Sequence, residues 1–87
     1  MDAAACVKEF ERIAERLGIE TRSVSGVPSG LCTVKGRRVL FIERGLDPAG
    51  ILAVYVREFR GLDMSGLFVP PAIRRMVECG DDARQDW

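Results

Sequence analysis

Enzyme chemistry near neutral pH draws most often on histidine, and this chain of 87 residues has none. That absence excludes Ser-His and Cys-His nucleophile pairs, imidazole general bases and any His-containing zinc site built from this chain alone. Three cysteines remain, Cys6, Cys32 and Cys79. They lack the close pairing of a Cys-rich zinc site, and an odd, widely spaced set is not a disulfide framework. Gly26, Gly30 and Gly36 form neither a P-loop nor a dinucleotide-binding fingerprint. Among the carboxylates, Glu43 and Asp47 flank one turn, but Asp47 followed by Pro48 is better explained as a helix cap. No catalytic residue, metal site or cofactor is expected, and the chain is not expected to be an enzyme.

Positive chemistry is confined to charge. The 13 basic and 13 acidic residues balance, yet residues 21–60 carry a net +4 between ends of net −2 each. Arg22, Lys35, Arg37, Arg38 and Arg44 crowd into this middle and form a candidate anion-binding edge. The domain is not basic overall and interleaves no aromatic residues with these charges, which argues against a nucleic-acid partner.

Those side chains need elements to hold them. Ala3, Cys6, Val7, Phe10, Ile13, Ala14 and Leu17 recur at helical spacing, so Asp2 to Leu17 reads as an amphipathic helix. Asp2 can cap it, Gly18 can stop it, and Ile19 can fold back on Ala14. Cys6 then belongs to the core. Ile19–Val24 reads as a short strand and residues 25–30 as a Gly/Pro loop. Leu31–Val34 and Arg38–Glu43 follow as strands joined by Lys35-Gly36, a plausible two-residue hairpin turn. Cys32, beside Leu31, is expected to be buried and inert. Val39-Leu40-Phe41-Ile42 is apolar on both faces, which marks a strand that is central or covered on both sides. Asp47-Pro48 opens a helix that runs to Arg60 and is stopped by Gly61. Its core face is Ile51, Leu52, Tyr55, Val56 and Phe59. After an irregular stretch, Pro71–Cys79 reads as a short helix ended by Gly80.

The expected fold is α+β: an N-terminal helix, a three-stranded antiparallel meander, and two C-terminal helices packed on the sheet. One domain spans residues 1–80, with 81–87 a polar tail. No apolar run is long enough to span a membrane, and the acidic start does not resemble a signal peptide, so the expected location is the cytoplasm.

The order helix, Leu17-Gly18-Ile19, strand, hairpin through Gly36, the Val39–Ile42 strand and the helix after Asp47 resembles the N-terminal half of small zincin-like metallopeptidases. That family carries His-Glu-x-x-His on the helix after the hairpin. Here the stretch is Ala53-Val54-Tyr55-Val56-Arg57-Glu58, so the resemblance implies at most a degenerate domain without its metal site. The blocks Gly30–Gly36 and Phe68–Arg74 also resemble short uncharacterised bacterial proteins, a resemblance that implies no function.

With chemistry pruned, the expected role is a non-catalytic protein-interaction module, homodimeric or bound to another protein. A chain this short buries a small core and gains from a partner. Its candidate interface is the second face of the 48–60 helix, Gly50, Ala53, Val54 and Arg57, together with Trp87. The alternatives are an anion or nucleic-acid binder using the basic hairpin and a degenerate zincin-like domain that has lost its metal site.

Overall fold

Asp2 accepts a hydrogen bond from the Ala5 N–H at 2.8 Å and starts α1 (Ala3–Arg16). The helix ends in a Schellman motif, with Gly18 at φ +75°. The Ile19 N–H bonds the Ala14 carbonyl at 2.9 Å, and the Gly18 N–H bonds that of Glu15 at 3.1 Å. The chain then enters β1 (Glu20–Val24), β2 (Gly30–Val34) and β3 (Arg37–Glu43), followed by α2 (Pro48–Phe59) and α3 (Pro71–Gln85). This computed structural model describes residues 2–64 and 66–85, and of residues 79–85 the backbone alone.

The sheet is mixed. Its strand order is β1-β3-β2, with β1 parallel and β2 antiparallel to β3. This corrects the expected antiparallel meander, which would have put β2 in the middle. The physical reason is the apolar character of β3 on both faces, which is best buried between two neighbours. The loop at 25–29 can serve either topology. Stepping over the end of β3 spans two strand spacings, about 10 Å, within easy reach of five residues. The Glu43 N–H donates to Ser29 Oγ at 2.8 Å and ties the loop down where it crosses. The Arg44 N–H extends the parallel ladder to the Val24 carbonyl at 2.7 Å.

Lys35 and Gly36 both take positive φ, 52° and 81°, the two-residue turn whose twist matches the strands it joins. It sets the register of β2 on β3 from Val34↔Arg37 to Gly30↔Phe41.

Helices α1 and α2 lie on one face of the sheet. Leu31, Leu40 and Ile42 join their core, with Phe10, Ile13, Tyr55, Phe59, Ile73 and Val77. Phe10 stacks on Tyr55 with ring centroids 5.3 Å apart, and Phe59 meets both edge-on at 5.4 and 5.5 Å. Each such pair is worth about 0.5–1.5 kcal/mol beyond its burial. α1 lies along β1 and α2 along β2, whereas α3 packs on α1 and α2. The expectation that both C-terminal helices cover the sheet is therefore corrected. The expected stop at Gly80 is also not made, and α3 runs on to Gln85 through most of the presumed tail. A glycine inside a helix costs only about 1 kcal/mol against alanine and need not end it.

Candidate functional site

The two edges of a three-stranded sheet are where a second chain can add, and here they differ. β1 carries Glu20 and Arg22, which pair with each other on the strand. This pair, with Arg37 nearby, holds the Glu20 carboxyl below its usual range. Such charges guard an edge against pairing. β2, Gly30-Leu31-Cys32-Thr33-Val34, carries no charge at all.

The hydrogen-bond parity of β2 follows from its turn. Val34↔Arg37 closes the hairpin, so residues 34, 32 and 30 bond β3, while the N–H and C=O groups of Leu31 and Thr33 point outward. One outward group is already taken. The Leu31 N–H donates to Glu58 Oε1 on α2 at 3.1 Å. Glu58 Oε2 accepts from Arg57 Nε at 2.8 Å, and Arg57 Nη2 donates to the Ser29 carbonyl at 3.1 Å. Burial raises the Glu58 pKa, but the Arg57 and Leu31 bonds outweigh it and hold the carboxyl below the usual value. This clasp fastens α2 to the first half of β2. From Cys32 onward the strand is exposed.

The side chains of that open half face outward in a pattern set by the same register. Cys32 lies opposite Val39, and Val34 opposite Arg37. They share the sheet face turned away from the helices with Val24, Val39 and Phe41. Cys32 is thus exposed, correcting the expectation of a buried thiol. Val34 is 40% exposed, whereas Val39 is buried.

The residues expected at an interface divide. Val54 is buried in the chain's own core, and Leu46 lies over Gly50, where an added Cβ would come within 3.3 Å of it. Ala53 is exposed, and Arg57 is engaged in the clasp. Together with Pro28, Ser29, Glu43 and Leu46 they line a shallow groove. Trp87 lies outside the described residues.

The five basic residues are not brought to one place. Arg22 pairs with Glu20, and Arg38 Nη2 donates to the Leu17 carbonyl at 2.9 Å, where it covers the end of α1. Lys35 and Arg44 stand at opposite ends of β3, about 25 Å apart at the strand rise. Arg37 and Arg22 are on the outer face, Arg38 on the helix face.

A separate cleft between α2 and α3 is lined by Arg60, Leu62, Met64, Val69, Arg74, Val77 and Glu78. Among the described residues, its charged groups are two guanidiniums and a carboxylate. Among the described residues, no three His, Cys, Asp or Glu side chains cluster to hold a metal ion. None of the described helices is long and apolar enough to cross a membrane. The Glu58 clasp could not have been found by spacing, because its partners lie 27 and 28 residues apart. The absence of charge from residues 30–34 was the available signal for the open edge. No protein-family model, curated protein or solved structure matches this chain, and the reading of its function rests on its own geometry.

Proposed function

We propose that this domain is a non-catalytic protein-interaction module that works as a homodimer. The observation that supports it best is the open half of β2. An uncharged edge with an outward backbone and exposed Cys32 and Val34 is the kind of surface that monomeric proteins protect with charge or cover. The other edge, β1, is protected in that way, so the difference lies within one sheet. A second copy is a natural partner, since antiparallel pairing of a strand with itself is self-complementary about a two-fold axis.

The test is molecular mass by light scattering across a dilution series. Wild type should show twice the monomer mass at high concentration. Val34→Lys places a charge on an exposed side chain and should be monomeric throughout with unchanged circular dichroism. A wild-type mass that stays monomeric removes the proposal. Val54→Glu is no probe of the interface, because it would bury a carboxylate in the core.

A further inference from the structure

We infer that the two copies pair through β2 in a register centred on Thr33, and that Glu58 sets this register. The inference rests on the homodimer reading and adds the contacts. Of the outward backbone groups of β2, the Leu31 N–H is held by Glu58 and the Thr33 N–H points to open edge. A two-fold axis at Thr33 lets its N–H and C=O exchange bonds with the same groups of the second copy. Cys32 then stands opposite Val34 of that copy, and the reverse, so four apolar side chains gather on one sheet face. Two residues from the axis, Lys35 arrives beside Leu31 of the second copy, where the Glu58 carboxylate is fixed. A cation meets an anion there twice, once on each side of the axis.

The rival register is centred on Cys32. It pairs Thr33 with Leu31 of the second copy and so requires the N–H that Glu58 holds. Glu58 therefore acts as a stop. It fills the edge at Leu31, and the partner strand runs alongside only until its own turn begins at Lys35. A longer strand from an unrelated protein would meet the same stop.

Disulfide trapping distinguishes the registers. Two chains are made with Cys6 and Cys79 replaced by alanine. The first keeps Cys32 as its one thiol, and the second combines Cys32→Ala with Val34→Cys. Diamide takes up the two protons and two electrons that a pair of thiols releases on forming the S–S bond. Directly opposite residues at a non-hydrogen-bonded pair lie about 4.5 Å apart between Cα atoms, within bridging range. Diagonal neighbours at about 7–8 Å are at or beyond the limit of that range. Mixed chains should therefore bridge Cys32 to residue 34 at least tenfold faster than the first chain bridges to itself. Adding Glu58→Ala frees the Leu31 N–H and should shift bridging toward Cys32 with Cys32. Dominant Cys32–Cys32 bridges with Glu58 intact overturn the register. A wild-type dimer that traps at neither pair overturns the β2 interface while leaving the homodimer standing. A monomeric wild type sinks both.

Discussion

Replacing Glu58 by alanine tests the clasp that joins α2 to the sheet. The change removes the acceptor of the Leu31 N–H and the partner of Arg57 Nε. A hydrogen bond to a charged group is worth about 1.5–3 kcal/mol. Two features reduce that here. The Arg57 and Glu58 side chains are 52% and 23% exposed, and exposed ion pairs contribute only about 0–1 kcal/mol. The Leu31 N–H sits on an edge and can turn to water once released. The expected loss is about 1–2 kcal/mol, which for a small domain moves a urea midpoint by roughly 1 M. Urea unfolding followed by circular dichroism, at dilutions where the mass is monomeric, reads it directly. The pH dependence supplies the sign. A carboxyl whose folded pKa is depressed contributes stability above the unfolded value of 4.5, and that contribution is lost as pH falls through the folded pKa. Glu58→Gln keeps an acceptor oxygen but does not titrate, so its deficit against wild type should shrink in acid. A Glu58→Ala protein within about 0.3 kcal/mol of wild type, well below the charged-bond range, would refute the clasp. So would a Glu58→Gln protein whose deficit is unchanged across the acid range.

Two further substitutions probe the core and the turn. The Tyr55 hydroxyl is buried with no well-formed hydrogen bond, although Thr21 is near, and burial pushes its pKa above the ordinary 10.0. Tyr55→Phe should be neutral or stabilising by about 1 kcal/mol. It should also remove the part of the stability lost above pH 10, where the unfolded tyrosine ionises first; a loss above 2 kcal/mol in urea unfolding would show that the hydroxyl is satisfied. Gly36→Ala meets nothing within 4 Å but must hold φ at +81°, so it should cost about 1–2 kcal/mol by backbone strain alone. A melting temperature equal to wild type counts against the left-handed turn.

Local features were legible in the sequence because their causes are local. Asp2, Gly18 and Asp47 act within a few residues of themselves, and each makes the cap its position implied. The Lys35-Gly36 turn is likewise read from two residues, and it carries the β2–β3 register with it. What stayed hidden depends on distant partners. Nothing near Glu58 in the chain announces Leu31, and nothing near Val54 announces that the loop at 28–29 and Leu46 crowd the groove above it. The exposure of Cys32 is of the same kind. Being beside Leu31 in the chain suggests burial, whereas neighbours on a strand take opposite faces, and the register gives the helix face to Leu31 and the open face to Cys32.

The strand order is a different case, because the residues that decide it were in view. Four successive apolar residues, Val39 to Ile42, mark β3 as the strand that needs a neighbour on each side. A meander would put β2 in the middle and leave β3 on an edge. β2 is shorter and ends in exposed positions. With the β2–β3 pairing already set by the turn, the only place left for β1 is the far side of β3. The direction of β1 then follows from chain connectivity, since one reversal at the 25–29 loop and a second at the hairpin return β3 to the direction of β1. That placement leaves the second half of β2 as an open edge, and the edge used by the proposed homodimer is thus a consequence of burying β3. A substitution that makes β3 polar on its outer face, such as Val39→Thr, should weaken the reason for this order. It should destabilise the fold by about 1–3 kcal/mol, measured by urea unfolding at dilutions where the mass is monomeric, whereas the same change at Val34, exposed in the monomer, should cost less than about 0.5 kcal/mol. Equal costs at the two positions would mean that β3 is not the strand the sheet is built to bury.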